Sequence, residues 1–324
     1  MNSFSYKLKD EVAQIVTTGD ESISELSAII KSSGEIFKSN GKQQIVVYTE
    51  LESVAILLHN IIKNFYGAEV ECSQQKVSFL KADRFEIKIP SEIAQQVLLD
   101  TEVLQFDENK YLNFVQGISQ YQIDEEEKEL AFLRGVFLGA FSCNINPDKS
   151  ESNSISVAKN RSGYHAEFVF SNEVFAQDFC FLLADFDIIS KMTKRQNRFV
   201  VYIKGVDMIS DLFALVGATK GVITLQNESV LRSIRNNVNR QNNCINANLS
   251  KTVDASVKQM QIIDKIKSTI GFDALDENLR ETIYLRLANP EESLDALVKL
   301  SNNKITKSGL YHRFKKLEEI ANKL

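Results

Sequence analysis

The chain has 324 residues and a formal net charge of −5, and its 44% hydrophobic and 25% charged content excludes a wholly disordered protein. At about 100–200 residues per domain, this length predicts two or three domains. No apolar run approaches the roughly 18–20 residues of a membrane span. The N-terminus carries charges where a signal peptide would be apolar, so the sequence predicts a cytoplasmic protein without a membrane partner.

Cysteine and histidine spacing gives no motif for a metal, disulfide or cofactor site. The four cysteines form no CxxC pair, and the three histidines form no HExxH pattern. The sequence also contains no GxGxxG fingerprint, Walker A loop or GxSxG elbow. The sequence therefore predicts neither a cofactor nor a metal, and it does not favour an enzyme.

Charge is segregated along the chain. Residues 100–130 carry a net charge of −7, whereas residues 191–251 carry ten bases against three acids, a net of +7. A solvated surface would explain a single such run. A basic stretch in an acidic chain also indicates a polyanion partner, because local field rather than overall charge steers phosphate.

The first half predicts a helix–strand–helix–hairpin order. The expected elements are a helix over 23–30 that ends near 33–34, a strand over 44–49, a helix over 51–66, and strands over 70–80 and 84–89. The second half repeats this order roughly. Its expected elements are a helix over 130–140, a turn at 146–148, strands near 154–157 and 164–170, a helix over 173–185, strands over 188–193 and 199–203, and a helix over 206–216. The repetition predicts an internal duplication.

The opening helices of the two halves carry small residues at close to four-residue spacing. They are Ser27, Ala28, Ser32, Ser33 and Gly34 in one helix, and Gly135, Gly139 and Ala140 in the other. Glycine inside a helix costs about 1 kcal/mol against alanine, so these glycines indicate a packing reason. We expect the two helices to cross at a pseudo-twofold axis, although two unrelated amphipathic helices remain an alternative.

Beyond residue 221 asparagine becomes frequent and helical periodicity continues to about residue 270. The predicted division is a duplicated domain over 1–221, with repeats of about 1–120 and 121–221, a helical linker over 222–270, and a small all-α domain over 271–324. The expected fold class is thus α+β.

The last fifty residues predict three short helices. They cover 277–287 with Leu279, Ile283 and Leu287 inward, 294–300 with Leu294, Leu297, Val298 and Leu300 inward, and a third helix that starts near 306–308. On this third helix Leu310, Phe314, Leu317 and Ala321 share one face, and a basic, hydrogen-bonding face lies opposite.

This order is typical of a helix-turn-helix, whose second helix reads the major groove while lysine and arginine contact phosphates. The candidates for base or groove contacts are Ser308, Tyr311, His312 and Lys315, and those for phosphate contacts are Lys304, Thr306, Lys307, Arg313 and Lys316. A three-helix protein-interaction bundle is the alternative.

At these residues a family resemblance emerges. The chain resembles the WhiA family of bacterial regulators over nearly its whole length, in FLRGVFLGAFS (132–142), VNRQNNCINANLSKT (238–252), SLDALVKLSNNKITKSGLYHRFKKLEEIA (293–321), SELSAIIKSSGEI (24–36) and VVYTE (46–50). The resemblance implies a degenerate, paired LAGLIDADG homing-endonuclease-like domain followed by a helix-turn-helix domain. It further implies promoter DNA binding and a role in cell division, chromosome segregation or sporulation.

The same resemblance implies that this chain lacks the metal-binding carboxylates of the active enzymes. Active LAGLIDADG enzymes end each central helix in a metal-binding carboxylate, and this chain has Ser33 and Ala140 at those positions. Glu35 lies two residues beyond Ser33, and Phe141 replaces the small residue that usually ends the motif. Because a metal-dependent nuclease needs anionic oxygen ligands, we expect no nuclease activity.

The expected function is that of a non-enzymatic, sequence-specific regulator that binds double-stranded promoter or chromosomal DNA, in the cytoplasm and at the nucleoid. Possible secondary DNA contacts are Lys191, Lys194, Arg195, Arg198, Lys204, Arg240 and Lys251, with Asn243, Asn246 and Asn248 beside the last two. For the segment 240–251 the alternative is a helical hinge whose asparagine side chains cap or bridge domains. The alternative is an interaction or scaffold protein of the division machinery that binds DNA incidentally, with a protein partner on the LAGLIDADG-like domain. An active endonuclease is the third class.

Overall fold

A computed structural model describes residues 3–39, 41–76, 83–144 and 164–324. The chain forms two compact units, residues 1–231 and 232–324. No helix in the described ranges is both long and apolar enough to cross a membrane.

The first unit begins with one helix and one α/β repeat. Its elements are α1 (Phe4–Val12), α2 (Asp20–Ser33), β1 (Gly34–Ser39), β2 (Lys42–Thr49), α3 (Glu52–Tyr66), β3 (Glu71–Lys76), β4 (Asp83–Ile89) and α4 (Ala94–Asp100). The strands form an antiparallel sheet, sheet 1, in the order β1-β2-β4-β3. A small hairpin, β5 (Leu104–Phe106) and β6 (Leu112–Phe114), follows the repeat.

The second repeat has the same strand order. Its elements are α5 (Glu126–Ala140), β7 (Phe141–Asn144), β8 (His165–Phe170), α6 (Glu173–Asp185), β9 (Lys191–Arg195), β10 (Arg198–Lys204) and α7 (Val206–Leu215). These strands form sheet 2 in the antiparallel order β7-β8-β10-β9. The predicted duplication is therefore confirmed, and three acids in the first turn of α5 suit the positive end of that helix.

The two opening helices, α2 and α5, pack directly against each other. A Cβ added at Gly135 would lie 2.6 Å from the Ala28 Cβ and would also overlap the Glu25 carbonyl. A Cβ at Gly139 would collide with the Ser32 hydroxyl. The small residues thus allow the close approach that the sequence predicted.

Each sheet has one face against the helices and one outer face, because side chains alternate along a strand. In sheet 2, Phe199, Val201 and Ile203 belong to the buried core, so their neighbours Arg198 and Lys204 point to the outer face. In sheet 1, Ile45 and Val47 mark the core side in the same way.

The predicted elements match the structure, but several short elements are missing from the prediction, among them helix α4 and the β5–β6 hairpin. Helix α1 and strands β1 and β7 were not predicted from the sequence, although Ser3 caps α1 by accepting a hydrogen bond from the Tyr6 N–H. Strands β1 and β7 start directly after helices α2 and α5 with no intervening turn; Gly34 marks the end of α2 but is already the first residue of β1. The turn predicted at 146–148 and the strand predicted near 154–157 lie outside the described residues.

A long helix, α8 (Thr219–Thr269), follows α7. Its first turn is capped from α1, because Glu11 Oε1 accepts hydrogen bonds from the Lys220 N–H (2.9 Å) and the Thr219 hydroxyl (3.1 Å). Three further helices complete the second unit: α9 (Glu277–Ala288), α10 (Leu294–Leu300) and α11 (Lys307–Lys323). The proposed domain limits at residues 221 and 270 stay predictions.

Candidate nucleic-acid interface

The three terminal helices each begin at a polar side chain that satisfies a backbone N–H. Asp276 caps α9, Ser293 caps α10 and Thr306 caps α11, each by accepting from the N–H three residues later. The connector between α10 and α11 turns through Asn302 and Asn303, both with φ near +55° (53° and 55°). Asparagine tolerates this left-handed region better than most residues, so the connector sequence suits a tight turn.

A small apolar core holds these helices together. It contains the four predicted α11 residues, which are all buried, together with Leu279, Ile283 and Leu297. Two predicted core positions are wrong: Leu287 is 37% exposed and Leu300 is 52% exposed. On α9 the next inward residue after Ile283 is Arg286. At 100° per residue, a residue seven positions after Leu279 lies closer to the buried face of the helix than a residue eight positions after it.

Arg286 is a structural residue that the sequence did not single out. Its guanidinium donates to the Asn289 and Glu292 carbonyls (3.2 and 2.6 Å) and lies 5.5 Å from the Phe314 ring centroid. Burial lowers the pKa of this guanidinium. The side chain of Arg286 connects the α9–α10 connector to the inner face of α11. Its position on the inward face of α9 was the sequence feature from which this role could have been predicted.

The outer face of α11 carries the candidate base-contacting residues. Ser308, Tyr311, His312 and Lys315 are all exposed, and Tyr311 is 58% accessible. The rings of Tyr311 and His312 meet edge to face at 5.8 Å between centroids. These four side chains lie in the N-terminal half of the helix, opposite its buried stripe, as a reading helix requires.

Three candidate phosphate contacts are paired within the unit. Lys307 binds the Asp295 carboxylate at 2.5 Å, and Lys316 binds Asp276 at 3.2 Å. Arg313 is half-buried and donates to the Asn278 carbonyl and side-chain oxygen (3.1 and 2.9 Å). The acceptors come from α9 and α10 (or, for Asp276, the α9 cap), so no local pattern around α11 could have revealed them.

Lys304 and Lys315 differ from these three bases. Both are exposed, and neither forms an ion pair or hydrogen bond with the part of the chain that the structure describes. Thr306 is also exposed, with its hydroxyl accepting from the Gly309 N–H as the helix cap. The ammonium donors of Lys304 and Lys315 are therefore not used by any described residue.

Sheet 2 brings most of its predicted basic residues to one face. The antiparallel register pairs Arg195 with Arg198, Lys191 with Tyr202, and Lys204 with His165, which places the four predicted bases of these pairs on the outer face. Glu167 is the carboxylate on that face and binds Arg195 at 3.2 Å. Lys194 instead lies on the opposite side, 5.1 Å from the Phe199 ring centroid.

The candidates on α8 are solvent-exposed. Arg240 and Lys251 are exposed on this helix, and so are Asn243, Asn246 and Asn248 between them. They do not share one face, because at 100° per residue the two bases lie on a different side from Asn246.

The ends of the central helices carry no pair of carboxylates. Ser33 is the last residue of α2, and its hydroxyl donates to the Ile29 carbonyl at 3.0 Å within the same helix. Ala140 is the last residue of α5. Within the described ranges, no group of three or more His, Cys, Asp or Glu side chains is arranged to hold a metal ion.

Three family models match the chain in succession. They are the WhiA N-terminal LAGLIDADG-like domain over residues 20–104, the WhiA LAGLIDADG-like domain over 129–235, and the WhiA C-terminal HTH domain over 238–321.

Similar proteins cover the same length. The chain is 36% identical to a probable cell division protein WhiA of Clostridium botulinum, over 99% of this chain and 98% of that protein. It is also 36% identical to one from Thermoanaerobacter sp. strain X514, with the same coverage. The crystal structure of full-length DUF199/WhiA from Thermatoga maritima has the same fold, with a TM-score of 0.55 and 24% identity over 100% of this chain and 99% of that chain.

Proposed function

The chain belongs to the WhiA family of cell division proteins, and on that premise we propose that it is a sequence-specific regulator of transcription that binds double-stranded DNA. In this proposal it acts in cell division and chromosome segregation, resides at the nucleoid, and does not cleave DNA. The observation that carries the proposal is the exposed, hydrogen-bonding face of α11 in a capped three-helix unit.

Within this interface the residues have different roles. Ser308, Tyr311, His312 and Lys315 reach base edges or groove walls, because they occupy the first half of the reading helix. Lys304 contacts phosphate directly, since no carboxylate of the described chain holds its ammonium. Lys307, Arg313 and Lys316 lie beside the same surface and must exchange an internal acceptor for a phosphate oxygen.

A second DNA contact on the outer face of sheet 2 is favoured by its charge. Lys191, Arg195, Arg198 and Lys204 face outward there, and Glu167 is the one carboxylate among the described strand residues of that face. Such a face attracts phosphate without reading sequence, so it would raise affinity rather than specificity.

The absence of cleavage follows from the residues at the ends of the central helices. Ser33 and Ala140 offer one hydroxyl and one methyl group where divalent metals need charged oxygens, and the Ser33 hydroxyl is already bound within its helix. The competing proposal, a scaffold of the division machinery, predicts only weak binding that is independent of sequence.

The test begins with selection of tight-binding duplexes from a random-sequence library by the full chain, with magnesium present. Affinity for the selected and a scrambled duplex is then measured across a salt series for the native chain and for Ser308→Ala, His312→Ala and Lys304→Ala. We expect each of the first two to lower the preference for the selected duplex by about tenfold or more. Lys304→Ala should weaken both duplexes alike and reduce the salt slope by about 0.9.

Lys323→Ala is the matched control, because it removes the same charge from the last turn of α11 and should leave binding unchanged. Selection that enriches no sequence would favour the scaffold function, and magnesium-dependent nicking would contradict the proposed absence of cleavage.

A further inference from the structure

A pocket of about 490 Å³ lies in the first unit, beside the C-terminal end of α5. Four segments line it: the start of α1, the end of β2, one residue of β4, and the α5–β7 junction. Its polar side chains include Ser3, Lys9, Tyr48, Glu50 and Arg84. The volume falls within the range of small-molecule sites.

Lys9 is a cation that no hydrogen bond or ion pair holds in this pocket, although the more distant charge of Glu50 opposes part of the effect of its burial. The structure gives its ammonium no hydrogen bond or ion pair to the described residues, and burial lowers its pKa to about 8. Withdrawing an ammonium from water is costly unless an anion compensates it. Glu50 is the single carboxylate among the lining residues, and it lies beyond ion-pair distance.

Arg84 supplies a second cation with a fixed orientation. Its guanidinium lies 4.0 Å from the centroid of the Tyr48 ring, and both side chains line the pocket. Arginine binds phosphate oxygens through two parallel N–H donors, whereas lysine acts as a point charge. The two cations against one carboxylate leave the pocket with a local excess of positive charge.

The hydroxyl groups close to Lys9 hold the pocket in shape. Ser5 donates to the Cys143 carbonyl and accepts from the Cys143 N–H (3.2 and 2.9 Å), which fixes α1 against β7. Ser3 caps α1, and Thr49 accepts from the Leu51 N–H. The walls are therefore built by the fold before any ligand arrives.

We propose that this pocket binds the phosphate group of a phosphorylated molecule of nucleotide size, through Lys9 and Arg84. Tyr6 and Tyr48 line the same pocket and offer rings against which an aromatic portion can pack. A larger cavity of this unit, about 820 Å³, contrasts with it, because Asp10 and Glu52 line that cavity without any lysine or arginine. Phosphate can also come from a nucleic-acid backbone, and the experiment separates the two sources.

The measurement is calorimetric titration of the full chain with adenosine monophosphate, with inorganic phosphate, and with a short duplex of arbitrary sequence. We expect Lys9→Gln to weaken binding of the phosphate compounds at least about tenfold, the usual size of one charge-assisted hydrogen bond. The control is Lys7→Gln, because Lys7 is an exposed lysine on the same helix and does not line this pocket. It should bind as the native chain does.

A pH series provides an independent readout. The titratable groups around Lys9 are Tyr6 on α1, Tyr48 and Glu50 at the end of β2, Arg84 on β4 and Cys143 on β7, and burial raises the pKa of Cys143 to about 11. Burial brings the pKa of Lys9 down to about 8, inside the range of the series. Affinity should therefore fall as pH rises from 7.5 to 9.5 in the native chain and stay flat in Lys9→Gln.

Arg84→Gln gives a second variant on a different element, with the same expected loss. Thermal unfolding of each variant checks that it folds; Lys9→Gln leaves no buried partner without its charge. Lys9-dependent binding of the duplex alone would assign the phosphate to nucleic acid rather than to a free nucleotide. The proposal is overturned if Lys9→Gln and Lys7→Gln bind alike, or if none of the three probes binds.

Discussion

The two repeats of the first unit share a strand order but not a surface. The outer face of sheet 1 balances Lys42, Arg84 and Lys88 against Glu35, Glu71 and Glu86. Within its described strands, the outer face of sheet 2 presents four lysines and arginines against the carboxylate of Glu167, a net charge of +3. Backbone pairing and the buried side chains set the fold, so a duplicated fold leaves the outward positions free to diverge in charge.

The central helices differ in the same manner inside the core. Counted back from their last residues, Ser33 and Ala140, α2 carries Glu25 where α5 carries Phe132. Both positions are fully buried. The first repeat thus contributes the buried carboxyl side chain of Glu25, and the second contributes the apolar ring of Phe132. Both lie in the α2–α5 contact, called the seam below, where the two helix backbones approach closely.

The largest expected effect comes from filling that seam. Gly135→Ala should lower the free energy of unfolding by about 3 kcal/mol, because the new methyl group meets the Glu25 carbonyl, which cannot move aside cheaply. Urea denaturation of the native chain and the variant measures the difference.

Gly139→Ala is the matched comparison, because its new methyl group would meet the Ser32 hydroxyl, a side-chain atom, rather than a backbone carbonyl. Adding Ser32→Ala should restore most of the stability that Gly139→Ala loses. A Gly135→Ala variant as stable as the native chain would show that the two helices do not approach as described.

A smaller effect concerns the polar side of the seam. Burial raises the pKa of Glu25 to about 7, although the Thr17 hydroxyl donates to its carboxylate at 2.8 Å. Because the folded pKa exceeds the unfolded value, Glu25 favours the folded state below about pH 4.5, and this contribution is lost as pH rises to about 7. Glu25→Gln should therefore be more stable by about 2 kcal/mol above pH 7 and flatten the profile between pH 4.5 and 7.

Unfolding free energies from pH 4.5 to 8 test this difference. Glu108→Gln, at an exposed hairpin position, is the control and should follow the native profile. If the unfolding free energy of Glu25→Gln depended on pH as that of the native chain does, the raised pKa of the buried Glu25 carboxyl group would be contradicted.

The smallest expected effect compares the two outer faces directly. Arg198→Glu with Lys204→Glu on sheet 2, and Lys42→Glu with Lys88→Glu on sheet 1, change the net charge equally. If sheet 2 binds DNA, the first pair should weaken duplex binding several-fold and lower the salt slope by about 0.9 for each phosphate that the variant no longer neutralises. The second pair should change binding little. Equal weakening by both pairs would mean that overall charge, not the face of sheet 2, drives any effect.

The sequence predicted elements whose signals are local. The α11 stripe at Leu310, Phe314, Leu317 and Ala321 follows from helical periodicity and is fully buried. Strands β1 and β7 escaped prediction, because they are short and exist through pairing with β2 and β8. Pairing across the fold joins distant parts of the chain, which no window of sequence contains.

In the candidate interface, too, only the features that depend on local sequence could be predicted. Exposure of Ser308 and His312 could be predicted, since it depends only on their position opposite the buried stripe of α11. The partners of Lys307 and Arg313 could not, because Asp295 and Asn278 lie 12 and 35 residues away and reach α11 only after the helices pack. The contact roles of these residues stay predictions.

Helix α1 also sets an order of events during synthesis. It is synthesised well before some of its partners, because Phe4 packs against Phe213 and Glu11 caps a helix 208 residues further along the chain. At about 5–20 residues per second, the helix waits some 10–40 seconds for its binding site to be translated. During that interval Leu8 and Val12, which are buried in the finished protein, lack the part of their cover that α7 and α8 supply, so a nascent-chain chaperone can bind them there.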